Sequence, residues 1–414
     1  METRLAQWVQ SSAEGATADR ILRACVHCGF CLATCPTYQV LGDELDSPRG
    51  RIYQIKQVLE GAAPTRSQQI HLDRCLTCRS CETTCPSGVE YGHLVDIGRD
   101  AVDERVSRPL SERAARWLLR EGLTRRWLFG ACLRLGRAVA LVLPALRAKV
   151  GTRRPPGPRP TRQHARKVLL LRGCTQPAML PSIDGATSRV LDAIGIQTQV
   201  AQQSGCCGAI RHHLGDPEGA LDQARRNIDA WWPYMDPAPA RVEAIVVNAS
   251  GCGSMVRDYA HLLRNDAAYA QKAERIVSLT RDPIEIVAPS IETLRARVQT
   301  SQRVAFQAPC TLQHGLKIRG DVENLLTGLG AELCPVGEPH MCCGSAGSYS
   351  LLQATISREL RSRKLDALQK RLPQVILSAN IGCIAHLQGG TATPVRHWIE
   401  WLDAALTAGR SVTR

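Results

Sequence analysis

The chain has 414 residues, 44% hydrophobic and 4% aromatic, with 52 Lys and Arg against 38 Asp and Glu for a formal charge of +14, and it carries 18 cysteines. That apolar content excludes a disordered, collagenous or low-complexity chain, and the length suits two or three domains. The charge is local: from Gly122 to Lys167 there are 12 Arg and Lys and no acid, which leaves the rest of the chain at +2.

The N-terminal stretch METRLAQWVQSSAEGATADR has no apolar h-region and no small-residue cleavage site. No secretory signal is expected, and in a reducing cytoplasmic setting clustered cysteines read as metal ligands and not as disulfides. The first cluster is CVHCGFCLATCP, 25–36. The second, CLTCRSCETTCP, 75–86, repeats its spacing, the Thr before the fourth Cys and the Pro after it. C-x2-C-x2-C-x3-C-P is the bacterial ferredoxin run, in which three Cys hold one cubane and the fourth reaches the other. The spacing predicts one [4Fe-4S] cluster on Cys25, Cys28, Cys31 and Cys85, and a second on Cys75, Cys78, Cys81 and Cys35. Zinc modules separate two ligand pairs by a dozen or more residues and do not fit this packing of four Cys before a Pro. Small residues at Gly29 and Ser80 are expected to let the backbone approach the inorganic sulfides. Between the motifs, Ile52, Ile55, Val58 and Leu59 at helical spacing, with a Pro-bounded start and Gly61 as a stop, predict a connecting helix.

A helix-rich, charged stretch is expected from Tyr91 to Arg120, then an amphipathic segment from Arg125 to Lys149 and a linker, GTRRPPGPRPTRQ, 151–163. Trp127, Leu128, Phe129, Leu133, Leu135, Val139, Leu141, Val142 and Leu143 interleave with Arg134 and Arg137, a pattern that suits an anionic membrane surface or a partner better than nucleic acid. The longest apolar run, AVALVLPAL at 138–146, is too short to span a bilayer.

Beyond the linker a larger repeat aligns Cys174 with Cys310. Each follows a strand-like run (VLLL, 168–171; VAF, 304–306), and 31 residues intervene before a Cys-Cys-Gly at 206–208 or 342–344. Each unit then offers AIVV, 244–247, or VILS, 375–378, leading to Cys252 or Cys383. Two similar α/β lobes with cysteines at strand ends are expected. Adjacent cysteines close a strain-free disulfide poorly but can present two thiolates, with Gly208 or Gly344 leaving room. Cys174, Cys206, Cys207 and Cys252, then Cys310, Cys342, Cys343 and Cys383, are thus candidate ligands for one or two additional iron-sulfur clusters, with buried structural thiols the alternative. Cys132 and Cys334 match no repeat and read as packed thiols. His212 and His213 read as an exposed loop pair. No G-x-G-x-x-G and no P-loop appears, so no nucleotide or flavin site is expected on this chain.

The resulting fold class is α+β with α/β parts: a helix-rich two-cluster ferredoxin-type domain at 1–110, a basic amphipathic segment and linker at 111–163, and lobes at 164–300 and 301–414. The run ILRACVHCGFCLATCPTYQVLGDELDSPRGRIYQIKQVLEG, with HLDRCLTCRSCETTCPSGVEY, closely resembles the iron-sulfur subunits of bacterial glycolate oxidase, also called glycolate dehydrogenase; the remainder resembles their paired cysteine-rich "CCG" domains. The resemblance implies an electron conduit without substrate chemistry of its own. FAD-containing partner subunits would oxidise glycolate or D-lactate, and the clusters would pass electrons singly to a membrane quinone from the cytoplasmic side of the membrane. Two related families offer alternatives: the iron-sulfur subunit of anaerobic glycerol-3-phosphate dehydrogenase, with the same domain order, and heterodisulfide-reductase-like thiol/disulfide reductases. The latter end each lobe in Cys-x-x-Cys, where this chain has Met255 and His386.

Overall fold

The computed structural model describes residues 1–142, 153–235, 241–298 and 300–412. The connecting helix forms at Pro48–Leu59. Pro48 supplies a fixed φ at its first turn, the Ser47 hydroxyl accepts from the Gly50 N–H, and Ile52, Ile55, Val58 and Leu59 are all buried. It packs on Tyr91–Asp103, and the close approach needs Gly98, where a Cβ would lie 2.5 Å from Ile55. With Gly15–Ala24 these helices form the core beneath the first two cysteine motifs.

Two further helices, Leu110–Thr124 and Arg126–Val142, carry the basic segment. Its predicted continuation to Lys149, with Leu143, and the first two linker residues lie outside the described residues. From 153 onward the linker is docked on the lobes: Arg154 pairs with Glu400 at 3.1 Å, and the Pro156 and Pro158 carbonyls accept from Arg189.

Each lobe is built on a four-stranded parallel sheet. In lobe 1 the order is β2-β1-β3-β4, with β1 Arg166–Leu170, β2 Ile196–Gln199, β3 Ala244–Val246 and β4 Thr280–Arg281. In lobe 2 it is β6-β5-β7-β8, with β5 Arg303–Gln307, β6 Glu332–Cys334, β7 Val375–Ser378 and β8 Val395–His397. The central strands are apolar on both faces because helices cover both, which is why they read as unbroken VLLL or VILS runs. Val168 stands opposite Thr198 and Ala244, and Val304 opposite Leu333 and Val375, so the two sheets repeat one register plan.

The lobes share a core. Val168, Leu170 and Ile183 belong to the same buried cluster as Phe306, Ile376 and Trp398. Helix Ser182–Ala193 of lobe 1 packs on Trp398–Val412 of lobe 2, where the Ser182 hydroxyl donates to Glu400 at 2.6 Å and Arg189 pairs with Asp403 at 2.7 Å.

One buried acid makes stability depend on pH. Asp282 caps Pro283–Val287 by accepting from the Ile284 N–H at 3.0 Å, but its other oxygen has no partner, and burial pushes its carboxyl up to about 7. A folded-state value above the unfolded one of about 3.9 means a contribution fully present below pH ~4 and lost as pH rises through ~7. Asp282→Asn keeps the cap, and it should stabilise the chain above pH 7 by on the order of 2 kcal/mol while flattening the profile of melting temperature against pH. An unchanged profile would show that Asp282 ionises normally.

Candidate metal centres

The two short motifs are held by the same backbone device. In Cys25–Gly29, His27 and Gly29 have φ of 56° and 85°; fifty residues on, Thr77 and Arg79 have φ of 50° and 60°. Alternating right- and left-handed residues turn successive N–H groups inward, as anion-binding nests do. The structural counterpart of Gly29 is therefore Arg79, not Ser80, which instead opens helix Ser80–Thr84 and is itself buried. Ser80 is a small residue beside the turn, whereas the left-handed position itself falls to Arg79.

The thiols gather in two groups. Cys25, Cys28, Cys31 and Cys85 line one cavity of about 430 Å³, with Cys28 exposed to solvent. Cys35, Cys75, Cys78 and Cys81 line a neighbouring one of about 300 Å³, and Cys81 touches both. The fourth cysteine of each motif thus stands with the first three of the other. Helix Phe30–Thr34 packs on Ser80–Thr84, which brings the two motifs face to face.

Electrostatics ask for a cation here. Burial pushes Cys31 up to about 11, helped by nearby Cys25 and Cys35, and drives Cys81 well above the ordinary thiol value, with Cys78 and Cys75 adding to it. Such thiols stay protonated unless a soft metal neutralises them, so the donor set fits an iron-sulfur centre. A fixed charge lies beneath the second group: fully buried Arg51 donates to the His71 carbonyl at 2.7 Å and to Thr37 Oγ1 at 3.1 Å, and pairs with buried Asp46 at 3.1 Å. Thr37 Oγ1 is 3.3 Å from Cys35 Sγ, and the Tyr91 hydroxyl donates to Cys75 Sγ at 3.7 Å. Nothing in sequence spacing marks Arg51 or Tyr91, because the groups they reach near the thiols, Thr37, His71 and Cys75, lie 14 to 20 positions away along the chain.

The lobe cysteines occupy the C-terminal ends of the strands. Cys174 follows β1, Cys206 and Cys207 precede left-handed Gly208 (φ 97°), and Cys252 lies on Ser250–Arg257 after β3. The thiols form an unbroken chain of contacts, Cys174 to Cys206 to Cys207 to Cys252. Lobe 2 repeats it with Cys310, Cys342, Cys343 and Cys383. A Cβ on Gly344 (φ 85°) would sit 2.5 Å from the Ser357 carbonyl, so glycine is required there. All 18 cysteines are free of disulfides.

Residues 21–89 match the 4Fe-4S dicluster domain family, and residues 168–257 and 304–388 each match the cysteine-rich CCG domain family. The chain is 50% identical to the glycolate oxidase iron-sulfur subunit of Escherichia coli (strain K12), over 98% of this chain and 99% of that one. The chain belongs to the family of glycolate oxidase iron-sulfur subunits. It is also 29% identical to a probable glycolate oxidase iron-sulfur subunit of Bacillus subtilis (strain 168), over 88% of each. With lactate utilization protein A of an Exiguobacterium species it shares 24% identity, over 57% of this chain and 96% of that protein.

In this member of the family the ferredoxin-type part is fastened to both lobes. The Cys78 thiol is within hydrogen-bonding reach of Cys310, the Tyr349 hydroxyl donates to the Arg74 carbonyl at 3.0 Å, and Thr83 Oγ1 bonds His314 Nδ1 at 2.8 Å. Towards lobe 1, Arg79 pairs with Asp258 at 3.1 Å and His212 with Asp96 at 3.1 Å. His212 is therefore a half-buried interface residue and not one of an exposed pair; only His213 is exposed. The residues that stand where disulfide-reductase relatives have the last Cys of Cys-x-x-Cys are otherwise engaged: Met255 is packed in the lobe 1 core, and His386 Nε2 meets the Ser357 carbonyl at 3.3 Å. Cys132 is exposed on Arg126–Val142, and buried Cys334 faces the Arg371 carbonyl, so neither joins a thiol group.

Removing Arg51 tests the buried charge. Arg51→Met leaves Asp46 less compensated in a sealed site and should cost on the order of 3 kcal/mol. Purified protein should lose iron together with thermal stability; full iron content at an unchanged melting temperature would contradict this role.

Proposed function

We propose that this chain is the electron-transferring iron-sulfur subunit of a glycolate oxidase complex, taking electrons one at a time from a FAD-bearing partner subunit and passing them towards a membrane quinone. The observation that carries this reading is the run of thiol groups from the ferredoxin-type part into lobe 2, with lobe 1 joined to lobe 2 through a hydroxyl contact. Cys81 walls both ferredoxin-type cavities, Cys78 meets Cys310, and the lobes touch at Ser250 and Thr311, whose hydroxyls are 2.7 Å apart. A [4Fe-4S] cluster supplies a one-electron change with little rearrangement. Cys25, Cys28, Cys31 and Cys85 would hold one and Cys35, Cys75, Cys78 and Cys81 a second; each lobe's four thiols would hold a further one.

The chain's surfaces suit this order. Around exposed Cys28 stand Val26, 66% exposed, and Phe30, 62% exposed, an apolar face where the FAD-bearing subunit would dock next to the first thiol group. Exposed Trp127 and Leu135 on Arg126–Val142, beside Arg125, Arg126 and Arg134, suit peripheral contact with an anionic membrane. Among the described residues no helix is long and apolar enough to cross a membrane.

Replacing Cys28 or Cys78 by Ala should abolish quinone reduction by the assembled complex while glycolate still bleaches the partner's flavin; turnover at the parent rate in either variant would exclude the relay. Anaerobic iron and sulfide analysis should find at least about eight of each per chain, since two cubanes require that many. For the membrane face, the double substitution Trp127→Ser and Leu135→Ser should release the complex from anionic vesicles, and added salt should weaken binding of the parent. Equal vesicle binding by parent and variant would assign attachment to the partner subunits.

A further inference from the structure

The two lobes share a fold but not their surroundings. In lobe 2 the thiols are closed over by the second ferredoxin-type motif, where Cys310 and Cys342 are buried in one apolar cluster with Leu76, Met341 and Tyr349. In lobe 1, Cys174 and Cys206 form the floor of an open cavity of about 1290 Å³, three times the space of about 430 Å³ found at a complete four-thiol motif. A cluster on the thiols would leave most of it free.

The walls are cationic. Arg125, Arg126, Arg211 and Arg226 line the cavity, with Trp127 among them. Arg125 and Arg211 are committed to Glu121, at 2.8 and 2.9 Å, and the one acid on the wall, Asp222, pairs with Arg225 at 3.0 Å. Arg126 and Arg226 make no ion pair and no side-chain hydrogen bond among the described residues. Gln223, only 9% exposed, lines the same space, and its carboxamide oxygen has no hydrogen-bond partner. A buried amide left unsatisfied costs free energy that a ligand would recover, and turned about its last bond it presents N–H groups. Guanidiniums recognise planar oxyanions in two-pronged fashion, and a concave cationic site concentrates them.

We propose that this cavity is a binding site for a small oxyanion, carboxylate or phosphoryl, held by Arg126, Arg226 and Gln223 directly above the lobe 1 thiols. In lobe 2 the corresponding thiols, Cys310 and Cys342, are buried in an apolar cluster, so the site is proposed for lobe 1. An anion so close to the thiols would alter the electronic environment of whatever centre they hold.

Isothermal titration of the anaerobic full-length chain, clusters in place, with inorganic phosphate and separately with oxalate tests the site. Saturable one-to-one binding of at least one probe is expected, weakened about tenfold or more in Arg126→Gln and in Arg226→Gln. Phosphate binding alone would mark a phosphoryl site, and oxalate binding alone a carboxylate site. Arg226 is at the surface, so Arg226→Gln should melt like the parent and keeps the test independent of folding. As a second readout, the electron paramagnetic resonance spectrum of the reduced chain should shift on adding the binding probe, and in Arg226→Gln the same shift should require about tenfold more probe or more. No saturable binding of either probe up to about 10 mM, or equal affinity in parent and both variants, would overturn the proposal.

Discussion

Holding four thiols in contact inside a protein is the constraint on which the rest of this structure depends. Burial raises the proton affinity of a thiol and neighbouring thiols add to it, as at Cys81, while the hydrogen bonds that Cys206 receives from Cys174 and Cys207 lower its own, so such a group shares its protons unevenly. The chain meets this with backbone that leaves the thiols no alternative position. Left-handed residues turn both short loops, left-handed glycines follow both Cys-Cys pairs, and strand ends or helix starts carry the remainder. Fixed positive charge is then set nearby, Arg51 beneath the second group and buried Lys364, which donates to the Glu338 carbonyl at 3.1 Å, beside the lobe 2 thiols. Neither cation has a counterpart under every group, so the four environments differ electrostatically although their donor sets match.

Exchange of the fourth cysteine makes the ferredoxin-type part a single unit. Cys35 crosses to the second group and Cys85 to the first, so neither motif can close alone, and the helices Phe30–Thr34 and Ser80–Thr84 must pack before either is complete. The lobes are coupled in another way. Their shared apolar core and the docked linker at Arg154 bind them as one body, which fixes the separation between thiol groups. Electron transfer depends on that separation, so the apolar core between the lobes is as much a part of the proposed relay as the cysteines.

What the sequence made legible was whatever repeats locally. Cysteine spacing, the VLLL and VILS runs, and the apolar stripe of Pro48–Leu59 are all signals within a dozen residues, and each corresponds to an element in the fold. The edge strands β2 and β4, IQTQ and TR, carry no such signal because they are short, polar and held only by pairing with a partner far along the chain. The placement of His212 is equally non-local: Asp96, which pairs with it, is 116 positions away. Gly29 and Arg79 hold the same place in the two motifs, but that both turn left-handed there is a property of φ, which residue type reports only loosely.

The difference between the lobes bears on the proposed relay, in which one repeated fold would serve two ends. Lobe 2 is sealed against Cys78 and holds a buried cation, Lys364, beside its thiols, an environment that suits the interior position it has in the proposed relay. Lobe 1 meets the ferredoxin-type part through polar contacts, Arg79 with Asp258 and His212 with Asp96, and these leave Cys174 and Cys206 facing an open, arginine-lined cavity. Duplication therefore kept the thiol geometry while the surroundings diverged from sealed and apolar to open and cationic. A relay gains direction from such a gradient: an interior group exchanges electrons only through the protein, whereas an open one can also respond to what binds beside it.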